Sequence, residues 1–440
     1  MATWGISGPV DLLRRTGILW WRCWPRLIGV WLVGWLARYW LIKLALYVGV
    51  HFGGFWGDLI MPLAALARLS TYILMFLVIR GETNLPDENT DGRSRYQAFV
   101  GIVLKTILPV FVLFAAWRLI LADYALYLGS LNADLSYAAY SGGAPERTLT
   151  QAQEFMTPSD WRAYLAILIA FVARGALTRY SEKLPAWTQL VAVYLQALWV
   201  VLLLNAASNR LVGSPKWVSE RKVIVWYTEQ KDRFFAHFSL LGQVWKWITD
   251  AVGPTVLAVL LAVTWIAIVG TVYAARPQTT WAGASQAAFG ELQGSRVTDV
   301  ASRTGLAAKE RWQRLPVIVQ TRASEIFRSL LGIADQLRDT LRLTVHSGPV
   351  TLCFFVFVFM ATVVLDPNGA YFNVYVTDGY MWRGVAMLLG PHEWIWWASY
   401  RESFRTAIGA LIDPLRICLV VAMYWHCVER ASRPSVTTEV

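Results

Sequence analysis

The sequence predicts an all-α polytopic integral membrane bundle, with about eight transmembrane helices and additional interfacial amphipathic helices. Three observations lead there. Apolar runs recur along the 440 residues, and most reach the length of about 20 that a helix needs to cross roughly 30 Å of hydrocarbon. Only 16% of the residues are charged, against about 25% in an ordinary soluble domain. The 24 Trp flank many of the runs, as Trp20, Trp21 and Trp24 do the first and Trp394, Trp396 and Trp397 the last. Indole favours that position because its apolar body and polar N–H suit the membrane–water boundary.

The elements follow in order. Residues 1–26 are basic (Arg14, Arg15, Arg22, Arg26) and amphipathic, and are expected to lie on the cytoplasmic face. No small-residue cleavage site follows, so the first apolar run is expected to remain as an anchor. The expected membrane region 27–274 contains runs at 27–50, 56–79, 99–121, 161–180, 186–206 and 252–274, and the C-terminal region 349–428 contains runs at 350–365 and 406–428. Lys and Arg in the short flanks place both termini in the cytoplasm, including the tail 429–440 with Arg430 and Arg433. The acidic loop 122–160 then falls outside, in agreement with the rule. The basic loop 209–253 also falls outside, in conflict with it.

Between the two membrane regions lies a polar stretch, 275–348, read as a cytoplasmic linker followed by an amphipathic helix over 326–345. Ile326, Leu330, Ile333, Leu337 and Leu341 recur there at three- and four-residue steps and form one apolar face. That face is expected to rest on the membrane or bundle, with docking of a cytoplasmic protein as the sharper reading. The aromatic outer segment 366–399 is expected to hold a short interfacial or re-entrant helix over 381–389. A layout also repeats, in which a polar–apolar stretch ends at a proline (Pro25, Pro254, Pro349, Pro414) and an apolar run begins. Proline suits a helix start because its missing N–H would be unpaired there anyway.

The net charge of +11 would suggest nucleic acid on a soluble protein, but here the aromatics lie within apolar helices, so no nucleic-acid partner is expected. Anionic membrane lipids are the expected partners. The four cysteines (Cys23, Cys353, Cys418, Cys427) form no CxxC, and the adjacent His426 and Cys427 make a weak metal motif at most, so no metal or cofactor is expected. There is no P-loop, HExxH or GxSxG pattern. Asp87, Glu88 and Asp91 read as a solvated turn, and His392 and Glu393 as part of the interfacial aromatic segment. Asp58 stands at the outer start of the second run, where it is expected to pair with Lys43, the other reading being a catalytic carboxylate of a membrane transferase.

The distinctive constellation is cationic. Arg38 and Lys43 fall in the first run, Arg68 in the second, Lys105 and Arg118 in the third and Arg174 in the fourth. Arg38 and Arg68 lie near mid-run, too deep to snorkel easily, and a central cation costs about 2.5–3.5 kcal/mol on insertion scales. The nearby acids, Asp58 and Asp123, are too few for six cations. Guanidinium matches phosphate oxygens with paired donors, so these six residues are the expected site for an anionic lipid or another anion.

These features lead to the expectation of a non-enzymatic component of a membrane transport or envelope-assembly system. The alternatives are a membrane transferase acting on a lipid phosphate, and a structural scaffold whose cations answer acids elsewhere. A composition favouring Ala, Arg, Val and Trp over Lys points to a GC-rich bacterial genome, and thus to an inner cell membrane.

Overall fold

The computed structural model describes residues 7–83, 119–140, 161–179, 188–207, 259–273, 342–344, 347–366 and 379–432. Among these residues the regular structure is helical throughout. The helices are α1 (Ser7–Phe52), α2 (Gly54–Arg80), α3 (Leu119–Tyr140), α4 (Trp161–Arg179), α5 (Thr188–Ala207), α6 (Val259–Tyr273), α7 (Pro349–Leu365), α8 (Tyr380–Leu389) and α9 (Trp394–Ser432). Three of them, α1, α2 and α9, are long and apolar enough to cross a membrane, and shorter apolar helices occur within α4, α5, α6 and α7.

Prolines separate expectation from outcome. Pro349 opens α7 as its type predicts, with Gly348 before it at φ 84°, a left-handed turn that glycine adopts without a Cβ clash. Pro25 and Pro414 instead lie inside α1 and α9, and Pro62 lies inside α2. From Ser7 the N-terminal segment therefore shares one helix with the first apolar run. Likewise the last run, 406–428, lies inside a helix that is continuous from Trp394 to Ser432. The physical reason is that ending a helix frees several backbone groups, whereas an internal proline forfeits one hydrogen bond, and in apolar surroundings the first loss is greater.

A second difference concerns 122–160. Its first part is helical, because α3 runs from Leu119 to Tyr140 and so includes residues expected in an outer loop. The remainder of that loop, most of the run 99–121, the loop 209–253 and nearly all of 275–348 lie outside the described residues, as do Asp87, Glu88, Asp91 and Pro254. A short helix stands where one is expected over 381–389: α8, Tyr380–Leu389.

The chain divides into two compact units. One comprises 1–33, 71–110 and 261–440, and the other 34–70 and 111–260. In the second, Ala45 and Leu46 of α1, Met61 of α2 and Tyr124, Tyr127 and Leu131 of α3 form a core cluster. Tyr127 approaches so closely that a Cβ at Gly49 or Gly57 would collide with its hydroxyl. Small residues at such crossings let helix backbones meet. The α4–α5 pair packs through Ala170, Leu198 and Leu202, and Tyr194 donates its hydroxyl to the Leu59 carbonyl at 2.8 Å.

In the first unit α9 is largely interior, with 78% of its most apolar window buried. Trp265 of α6 is fully enclosed and meets Tyr72 edge-on at 5.2 Å, while the Tyr273 hydroxyl donates to the Phe76 carbonyl at 2.9 Å. Each such buried ring contributes about 1.5–3 kcal/mol of apolar burial, and the hydroxyl bond removes the cost of carrying a polar tip inside.

Candidate functional site

Three helices of the second unit converge on one carboxylate. Asp123, in the first turns of α3, is buried, and its Oδ1 accepts a hydrogen bond from Arg38 Nη2 of α1 at 2.6 Å and another from Arg68 Nη1 of α2 at 3.1 Å. Both arginine side chains are largely enclosed, at 19% and 12% exposure. Neither contact is the bidentate fork that guanidinium can offer, since both use the same oxygen. Asp123 Oδ2 and Arg38 Nε are buried without a protein partner.

This arrangement corrects the charge inventory drawn from the sequence. Arg38 and Arg68 are clasped by a carboxylate of their own chain, so their depth no longer requires a foreign anion. Two further members of the expected site lie among the described residues. Lys43 stands over the Tyr39 ring at 5.8 Å, Arg174 is half-buried on α4, and Lys105 and Arg118 lie outside the described residues. The expected Asp58–Lys43 pair does not form either. Asp58 is buried on α2 and takes its hydrogen bond from the Tyr124 side chain. Tyr124 follows Asp123 directly on α3, so one short stretch of that helix answers charges on both α1 and α2.

A second charged network, in the first unit, was not anticipated. Arg416 and Asp413 of α9 pair at 2.8 Å with side chains only 1% and 2% exposed. Arg416 also donates from Nε to Thr362 Oγ1 at 3.2 Å and from Nη2 to the carbonyls of Thr362 at 3.0 Å and Asp366 at 3.1 Å. The other Asp413 oxygen accepts the Trp31 indole N–H at 3.0 Å. Gly409, one turn before Asp413, makes room for that indole, because a Cβ there would collide with its ring. The signal that could have exposed this network is the Asp413-x-x-Arg416 spacing inside an apolar run, which puts the two charges on one helix face.

At the ends of α1 and α9, Arg15 bridges Asp11 at 2.8 Å and Glu429 at 2.7 Å and stacks over Trp425. His426 Nδ1 lies 3.6 Å from the same Asp11, and Arg430 donates to the Ser347 carbonyl at 2.7 Å. Among the described residues no three His, Cys, Asp or Glu side chains gather as a metal would need. His392, paired with Glu393 in the sequence, instead stacks on Trp396 at 4.1 Å.

No family model, curated protein or solved structure matches this chain.

Proposed function

We propose that this chain is a non-enzymatic integral membrane component of a transport or envelope-assembly system. In this reading it crosses a cell membrane about eight times with both termini cytoplasmic. The Arg38–Asp123–Arg68 cluster is then the place where an anionic lipid headgroup or another anion is received. One observation supports this narrower site: two guanidinium groups share a single carboxylate oxygen, leaving Arg38 Nε buried without a protein partner. A phosphate or carboxylate entering there would compete with Asp123 for the same donors. Residues 275–348 would serve as the cytoplasmic face towards protein partners.

The test is native mass spectrometry of protein purified in mild detergent, for wild type, Arg38→Ala, Arg68→Ala and Asp123→Asn, each checked for an intact fold. Loss of bound anionic lipid in the arginine variants, with gain or retention in Asp123→Asn, supports the site. Equal retention in all four removes it.

The scaffold reading draws on the same clasp seen from the other side, since Asp123 already supplies a counter-charge from within. If the four proteins carry identical lipid but differ in melting temperature, the cluster is a tie between helices. The transferase alternative gains nothing from Asp58, which is buried against Tyr124.

A further inference from the structure

We infer that α8 and the first turn of α9 lie in the membrane–water interface as a shallow apolar wedge, neither crossing the bilayer nor returning through it. The inference rests on the membrane reading above and adds which residues meet lipid, and at what depth.

Helix α8 has ten residues, about 15 Å of helix, which is half of what a crossing requires. None of its residues is buried. Its outward stripe is Tyr380, Arg383, Gly384, Met387 and Leu388, spaced three and four apart as one helix face. Along that stripe the chemistry changes. Arg383 holds its guanidinium over the Tyr380 ring at 5.2 Å, so the first turn is cationic and aromatic. The last turn is aliphatic, with Met387 and Leu388 each 88% exposed.

After the turn at Gly390 (φ 76°), α9 begins with Trp394 and Ile395, which are 80% and 67% exposed. The opposite side of this segment is fixed by aromatic packing. Trp382 meets Trp397 and Phe404 edge-on, and Trp396 meets Tyr400 and Phe404. The exposed apolar tip therefore stands on an aromatic base.

The occupant follows from continuity. Helix α7 of the same unit has no charged residue and turns Cys353, Phe357, Ala361 and Val364 outward along one stripe. Such an all-apolar outward stripe suits acyl chains. Helix α8 packs against both α7 and α9, so the same lipid is within its reach. Arg383 would then meet headgroup phosphates, with Met387, Leu388, Trp394 and Ile395 below it among the first acyl carbons.

The test uses full-length protein in vesicles, with an environment-sensitive fluorophore on a single introduced cysteine. Cys353→Ser removes the one exposed native thiol among the described residues. Probes go on Leu388→Cys and, as the depth reference, Phe357→Cys. At 388 the expected result is a blue-shifted emission quenched by lipids brominated near the headgroup, and at 357 quenching by lipids brominated deep in the chain. If 388 is quenched by aqueous iodide as fully as free dye while 357 remains deep, the wedge is wrong and the membrane reading stands. Deep quenching at 388 also overturns the wedge, in favour of a re-entrant element. If 357 itself is iodide-accessible, the membrane reading falls and the wedge with it.

Discussion

The two charged networks answer the same problem differently. Around Arg416, each nitrogen of the guanidinium meets an oxygen, and both Asp413 oxygens have donors. Around Asp123, two guanidinium groups meet one oxygen, while its other oxygen and Arg38 Nε have no protein partner. A buried network that is fully satisfied behaves as structure, and one that is partly satisfied carries an energetic cost that a bound species can relieve. The contrast separates a tie from a candidate site, although both are built from Arg and Asp.

The sharpest way to break the comparison is Asp413→Ala. It removes the buried carboxylate that Arg416 meets at 2.8 Å and is expected to cost about 3–5 kcal/mol, read as a large drop in melting temperature in detergent. Replacing the pair together, Asp413→Leu with Arg416→Met, should recover most of that loss, since an apolar pair of similar volume has no desolvation cost. A single variant that melts like wild type would mean the pair ties nothing.

Asp123→Ala should cost less, about 2 kcal/mol, because its arginines keep some exposure and can draw on solvent or lipid. It also sharpens the distinction: bound anionic lipid should rise in Asp123→Ala and stay constant in Asp413→Ala. Trp31→Phe comes next, at about 1 kcal/mol by thermal unfolding, since Asp413 loses one neutral donor and keeps Arg416.

The smallest effect is one of slope with pH. Burial pushes the Asp366 carboxyl up to about 6, with the Asp413 charge adding to the shift and Arg416 and Arg405 opposing it. The folded state thus holds that proton more tightly than the unfolded chain, whose ordinary value is 3.8. The stabilisation is full below about pH 3.8 and is lost as the pH rises through about 6. Asp366→Asn cannot lose a proton. It should match wild type in acid and melt higher than wild type above about pH 6, as a pH series of melting curves would show.

Much of the helical layout was legible because apolar runs and their length survive any tertiary arrangement. The runs at 27–50, 56–79, 161–180 and 186–206 each fall almost wholly within one helix. Breaks were less legible. Proline has the same local chemistry at 25, 349 and 414, and only at 349 does a positive-φ glycine precede it to turn the chain. Partners were least legible. Arg38 and Asp123 are 85 residues apart, and no local pattern reveals that α3 begins early enough to bring Asp123 to them. Asp58 and Lys43 are expected to pair because both lie near the same end of neighbouring runs, whereas the hydrogen-bond partner of Asp58 comes from a third helix. Asp413 and Arg416 stood in plain view at helical spacing, but an acid and a base three residues apart cancel in a count of unmatched cations.

Gly409 has a consequence for how this chain tolerates change. In most helices Ala is a gentle replacement for Gly and favours the helix by up to about 1 kcal/mol. Here the added methyl meets the Trp31 ring, so the ring must move, and with it the N–H that reaches Asp413. The smallest possible enlargement, at a position with no charge and no hydrogen-bonding side chain, would therefore register as an electrostatic defect one helical turn away.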